Sequence, residues 1–477
     1  MNSDSAVQAR TELLDVARRL RRAAATAASR AAALQRPVLA WAAVHIAPLD
    51  PLVVFARHSS SDRIFWTRPD ERFGLVGLGR AREFTFHGSA RFDNAAAAWR
   101  ACAANAVGDA PHAYAAGVLA LGGFAFNPDG SGGEDWRGFP AGAIVVPRVC
   151  IYTSGDENWL ILAVAVDPDG ASEIDALVME LDRIAGDLEG LPREVSTDSG
   201  GAVLEELPSG EVWRGSVAGA VQAAREGLLR KVVLARALRV RDVRVRATTG
   251  LASLRRDYPN CAIFAVSRAG GCFIGATPER LVRIHQGRVT TMAVAGSAPR
   301  GVSLDEDRRL GEALLKSPKD RLEHAVVVDV LRDVISEACD DVTTTPAPTL
   351  LKLSNIQHLL TPLAGRLRED VSVIELAGRL HPTPAVGGFP RERALRWLDE
   401  HEGLDRGWYA GPVGWLDGRG QGEFAVAIRS ALLRGDEALL FAGCGIMADS
   451  DPDQEYAESW LKLRPILSAL EIRHDGA

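Results

Sequence analysis

Short apolar runs cut by glycine, proline and aspartate turns dominate this chain, and their spacing constrains the fold before any single residue does. Val38–Ala43, Leu52–Ala56, Arg63–Trp66, Phe73–Leu78, Gly117–Phe126, Gly142–Thr153 and Asn158–Val166 read as strands. So do Lys231–Val240 and segments near 261–267, 271–276 and 280–294. Parallel strands need a long crossover, usually a helix, whereas antiparallel neighbours are joined by short turns. Hairpin-like pairs outnumber strand–helix alternation here, which predicts an α+β chain with antiparallel sheets backed by helices. Helices are expected over Ala95–Ala106, 171–188, Val212–Glu226, 304–316, 319–338 and 453–470. The spacing of Leu13, Leu14, Val16 and Leu20 suits an amphipathic opening helix. Segment 189–211, with its Leu-Pro, Ser-Thr-Asp-Ser-Gly-Gly and Leu-Pro-Ser-Gly runs, is the most loop-like and marks a soft boundary. The chain is divided into a helical extension (1–36), an N-terminal part of the fold (37–205) and a region 206–472.

Composition excludes some functions. A chain of 477 residues, 47% hydrophobic and 25% charged, is an ordinary globular one, long enough for one large domain or two that share a core. Its formal net charge of -7 argues against general nucleic-acid binding. Six cysteines, at 102, 150, 261, 272, 339 and 444, form no CxxC pair or metal-finger spacing, which fits free thiols in a reducing cytoplasm. No apolar run approaches the roughly 20 residues that cross a bilayer, so no membrane partner is expected.

Two acidic segments stand out, Lys319-Asp320-Arg321-Leu322-Glu323-His324 and Asp453-Gln454-Glu455-Tyr456-Ala457-Glu458. Residues i and i+3 share a helix face, so Asp320 with Glu323, and Glu455 with Glu458, each present a carboxylate pair in one direction. Alone, either pair fits a solvated helix face. Brought together in a water-poor place, four carboxylates would repel unless a hard divalent cation sat among them.

Lys231 opens a strand and shares a face with Val233 and Ala235. If that face is buried, the amine can lose its charge and take a proton; if not, it snorkels to solvent. Glu279 sits in the turn Gly275-Ala276-Thr277-Pro278-Glu279-Arg280, where a partly apolar cleft would keep its carboxyl protonated; on its own it fits an exposed turn. Arg429 ends an apolar strand and needs an anion to pair with. Gly443 and Gly445, one residue apart, allow backbone amides to approach a small anion.

Taken in order, these segments resemble the chorismate-utilising enzyme family. The match runs through Lys231–Arg236, Gly275–Glu279, Ala295–Gly301, Lys319–His324, His358-Leu359, His381–Gly388, Trp408–Gly414, Ala427–Arg429 and Gly443–Gly445 to Glu455, Glu458 and Lys462. It is strong over roughly 205–470 and looser upstream, where Leu121–Phe126 is the clearest echo. The resemblance implies two large antiparallel β-sheets packed together and flanked by helices, as in anthranilate synthase component I, with 206–472 as the chorismate-binding catalytic region.

Within the family, the sequence is similar to isochorismate synthases. Anthranilate synthases carry glutamine where this chain has Lys231, aminodeoxychorismate synthases carry a nucleophilic lysine where it has Ala295, and salicylate synthases carry threonine where it has Ala385. The resemblance implies chorismate as substrate, with water added at C2 and the C4 hydroxyl lost, and no glutaminase subunit. Lys231 would be the base and Glu279 the acid. Mg²⁺ would be held by Glu323 and Glu458, with Glu455 and Asp320 through water. Arg429, Tyr409 and the amides near Gly443 and Gly445 would hold the enolpyruvyl carboxylate, His358 the ring carboxylate. Gly296, Ser297 and Ala385 would also line the substrate site, and Lys462 would offset charge near the metal. The competing expectations are a salicylate synthase, which goes on to eliminate pyruvate, and a catalytically silent chorismate-binding homologue.

Overall fold

The computed structural model describes residues 3–58, 62–130, 132–186, 202–243, 245–368 and 371–472. Among them two sheets form, one of 13 strands and one of 10. Pairing is antiparallel except where Val38–His45 runs parallel to Val107–Asp109. Both sheets draw on the N-terminal part and on the rest of the chain: six strands of the larger sheet and three of the smaller end before residue 203. The two contributions to the larger sheet join where Phe264 pairs with Trp66, and those to the smaller where Gly414 pairs with Gly122.

The larger sheet is covered on both faces, which is why its strands read as continuous apolar runs and not as alternating ones. Along Ala262–Arg268, Phe264 and Val266 point into a core shared with Leu281 and Phe424 of the smaller sheet, while Ile263 and Ala265 point into a second core. That outer core is closed by Leu20 of the opening helix Ser3–Leu34, Leu254 of helix Ala247–Asp257 and Leu463 of the C-terminal helix Pro452–Ala469. None of the helices among the described residues is long and apolar enough to cross a membrane.

Several expected boundaries move. Leu52–Ala56 is part of a helix, Pro51–Arg57, and not a strand. Its β-prone residues lose to local capping: Asp50 accepts from the Leu52 amide at 2.9 Å, and Pro51 starts the first turn with its φ already suited to a helix. The run 280–294 is two strands, Arg280–His285 and Arg288–Pro299, folded at Gln286-Gly287, both with positive φ as a tight hairpin requires. Gly142–Thr153 likewise splits, because Pro147 interrupts it as the chain passes from the smaller sheet to the larger. Of the expected loop 189–211, residues 189–201 lie outside the described ones; Val203–Leu207 forms the edge strand of the larger sheet, zipped to Ala237 through Arg241 by main-chain pairing.

Asp50 also accepts a two-pronged ion pair from Arg255, at 2.6 and 2.8 Å. Asp50→Ala is expected to lower stability by about 1–2 kcal/mol in a thermal melt, since both the cap and the pair are lost.

Candidate active site

One cleft lies where the two sheets approach each other, and its lining gathers every site residue named in the sequence analysis. The reason is topological. Strand Gly271–Thr277 belongs to the larger sheet and strand Arg280–His285 to the smaller, so Pro278-Glu279 is the point where the chain crosses between them. Gly422–Val426 and Ser430–Arg434 make the reverse crossing, with Arg429 at the switch. The two crossings are laced together: the Ala276 amide donates to Arg429 O at 3.1 Å, and the Val426 amide donates to Glu279 O at 3.0 Å. Arg429 adopts φ 51°, a conformation costly for a residue with a Cβ and typical of functional positions.

Glu279 is 4% exposed. Burial pushes its carboxyl up to about 7, despite the opposing charges of Lys231, Arg429 and Lys462. The expectation of an exposed turn is thereby excluded, and the group is substantially protonated at neutral pH.

Lys231 is 1% exposed, and its Nζ lies 2.8 Å from Glu323 Oε1. Burial is thus the outcome for this amine, and its carboxylate partner comes from helix Pro318–Ala338, which strand periodicity gives no means of foreseeing. Gly445 explains how the pair fits. A Cβ there would stand 2.4 Å from Glu323 Oε1 and 2.8 Å from Lys231 Cε, so the pair rests on a bare Cα. Gly443 and Gly445 lie in strand Glu437–Ile446, opposite Ala235 and Val233. Gly443 presents its carbonyl to Lys462 Nζ at 2.9 Å.

The acidic pairs face each other from the first turns of two helices, Pro318–Ala338 and Pro452–Ala469. Lys319 pairs with Glu455 at 3.2 Å and Lys462 with Glu458 at 2.5 Å. Burial and the nearby Glu458 push Glu455 up; burial would also raise Glu458, but Lys462 brings it below the usual carboxylate range. Burial, with Glu323 and Glu458 adding to it, raises Asp320. A half-buried set of oxygen donors that repel one another suits a hard divalent cation. The Cys444 thiol lies within 4.8 Å of donor atoms of Glu455 and Glu458, but burial holds it protonated and it donates to Glu455 O at 3.3 Å.

His358 faces Ser297 across a bulged strand pair, where Gly296 takes φ 75° and falls out of register. Arg429 Nη2 donates to His358 Nε2 at 3.1 Å, and a guanidinium can only donate, so the proton of the neutral ring sits on Nδ1. That nitrogen lies 3.1 Å from Gly296 O and 3.0 Å from Ser297 Oγ. Burial and the charges of Arg429 and Lys462 keep the ring neutral. Arg429 Nη1 is buried with no hydrogen-bond partner among the described residues, a donor left available for an anion. Tyr409 stacks on Phe441 with ring centres 5.0 Å apart.

Two charged residues of the lining, Lys319 and Arg406, are not among the site residues the sequence points to. Arg406 stands one turn beyond Glu402, with which it forms a buried pair; it donates to Val233 O at 2.7 Å and Val386 O at 2.9 Å. The i, i+4 Glu–Arg spacing was the available signal.

The sequence profile of the chorismate binding enzymes matches residues 24–471. The chain is 38% identical to the salicylate biosynthesis isochorismate synthase of Pseudomonas aeruginosa, over 93% of this chain and 92% of that one. It is 36% identical to isochorismate synthase MenF of Bacillus subtilis, over 89% of this chain and 92% of that one. Among solved structures it resembles MenF, the menaquinone-specific isochorismate synthase of Escherichia coli, with a TM-score of 0.74, 25% identity, and 94% and 100% of the two chains covered.

Two outcomes are expected. Gly445→Ala should cut turnover at least tenfold and lower the melting temperature as well, because its methyl would force the buried Lys231–Glu323 pair apart. Glu279 has a folded value above its ordinary 4.5, so its contribution to stability is full below that value and is lost as pH rises toward 7. Glu279→Gln should remove that loss, making the variant more stable than its parent at pH 8 by about 3 kcal/mol in denaturant titrations, with the gap closing below pH 4.5.

Proposed function

This chain belongs to the chorismate-binding enzyme family, and from that premise we infer that it is an isochorismate synthase, an isomerase that converts chorismate to isochorismate. Water forms a bond to C2 of the ring, the ring double bonds shift, and the C4–oxygen bond breaks. The attacking water gives up a proton and the departing hydroxyl gains one, so the net change is a transposed hydroxyl.

The single observation that carries this reading is that a carboxyl raised to about 7 and a buried amine share one cleft with an unsatisfied guanidinium donor. Lys231, which has to give up the charge it carries in its pair with Glu323 before it can act as a base, takes the proton from water, and Glu279 supplies one to the leaving hydroxyl, leaving an ammonium and a carboxylate that exchange protons before the next turnover. The free Nη1 of Arg429 and the Tyr409 hydroxyl hold the enolpyruvyl carboxylate, beside the backbone of Gly443 and Gly445. His358, fixed by Gly296 and Ser297, orients Arg429 as well as facing the ring end of the cleft. Ala385 leaves room beside the substrate, and Lys462 balances charge next to Glu458.

Glu323 and Glu458, supported by Glu455 and Asp320, would hold Mg²⁺. When bound, that ion supplies Lewis-acid polarisation of the ring carboxylate and a fixed anchor for it. A lysine base serves water and not ammonia, which supports an enzyme that needs no glutaminase subunit. Six unpaired thiols, most of them buried, support a reducing, cytoplasmic setting.

Purified protein incubated with chorismate, with and without MgCl₂, followed by chromatography of the products, tests the reading. Isochorismate formed only with Mg²⁺ is expected; salicylate with pyruvate, or no conversion, would overturn it. Lys231→Met should lower turnover of the folded protein on the order of 10²- to 10⁴-fold and also lower the melting temperature, since Glu323 loses its buried partner. The rate should also fall above pH 7, where Glu279 loses its proton.

A further inference from the structure

We propose that Arg236 is a positioning residue for the cation site, setting the rotation of the C-terminal helix whose first turns carry Glu455 and Glu458. The inference rests on the reading that those carboxylates hold Mg²⁺.

Arg236 lies on strand Lys231–Arg241, five residues beyond Lys231, so strand alternation sends the two side chains to opposite faces. It is fully buried. Its Nη1 donates to Ser459 Oγ at 3.1 Å, and its Nη2 pairs with Glu206 of the edge strand. The other oxygen of Glu206 accepts from the Tyr456 hydroxyl at 2.8 Å. The guanidinium also lies 4.5 Å from the centre of the Tyr456 ring and 5.2 Å from that of Trp460.

The contacted residues interleave with the cleft residues: Tyr456 follows Glu455, and Ser459 follows Glu458. Successive helical residues are about 100° apart, so whatever fixes the rotation at Tyr456 and Ser459 also fixes where the two carboxylates point. Apolar packing would hold the helix down without choosing its rotation. The Leu463, Ile466 and Leu467 face already does that further along. A buried charge is a costly way to add mere adhesion. A planar fork that meets a hydroxyl and a carboxylate in set directions, and stacks on an aromatic ring, supplies an angular constraint instead.

The test uses the whole protein and the Arg236→Lys, Glu206→Gln and Tyr456→Phe variants. Titration calorimetry with MgCl₂ gives the Mg²⁺ dissociation constant, and steady-state kinetics give the Mg²⁺ activation midpoint. Arg236→Lys and Glu206→Gln are expected to weaken Mg²⁺ binding and raise the midpoint by about 10- to 100-fold, with kcat at saturating Mg²⁺ returning close to that of the parent. A merely structural role would lower the melting temperature and the active fraction without moving the Mg²⁺ constant. Folded variants with the parental Mg²⁺ constant would therefore overturn the proposal. If Arg236→Lys does not fold, Tyr456→Phe carries the test: it keeps the ring, loses only the bond to Glu206, and must weaken Mg²⁺ binding for the proposal to stand. A parent that binds no Mg²⁺ would sink the metal reading and this inference together; a parent that binds it, with variants that match, sinks only the role of Arg236.

Discussion

Glu323, Glu455 and Glu458 can line one cleft because each has a lysine against it. Lys231 ties strand to helix through Glu323, Lys319 ties one helix to the other through Glu455, and Lys462 answers Glu458 along its own helix. Removing one partner from a buried pair leaves an uncompensated charge, which costs several kcal/mol. The cleft is therefore one electrostatic unit assembled from three elements far apart in the chain. Position 445 has to be a glycine for that unit to close.

Glu279 lies outside those pairs. It sits at a sheet crossing with cations nearby but no ion-pair partner among the described residues, so desolvation outweighs attraction and the proton stays on near neutral pH. The neighbouring crossing holds Arg429 in a left-handed conformation that costs on the order of 1 kcal/mol, and the main-chain bonds between the two crossings keep it there. An acid and an anion-binding donor are thereby set side by side by backbone that belongs to both sheets. Their alignment needs no loop closure, which is the kind of preorganisation that lowers reaction barriers.

How much of this was legible varied by residue. The paired carboxylates were visible because i, i+3 spacing is a local property of helices, and Lys231 because strand alternation assigns it to an apolar face. Leu52–Phe55 misled because β-branched and aromatic residues carry a strand signal that a cap and a proline override. The Gly443 and Gly445 pair is legible as spare backbone open to a small anion; the structure adds that Gly445 leaves room for an ion pair and that Gly443 offers a carbonyl to Lys462. The tautomer of His358 could not be read at all, since it is imposed by Arg429 from another strand.

Residue order alone determined the strand-rich α+β architecture, the family, and the roster of side chains able to do acid–base and cation chemistry. Those follow from periodicity, turn chemistry and motif, all short-range or one-dimensional. Only the tertiary structure decided which charges meet, which are neutralised and which stay protonated. Those outcomes depend on distances of a few ångströms between segments as much as two hundred residues apart, and on how much water the closed sheets exclude, neither of which is written in any one stretch of chain.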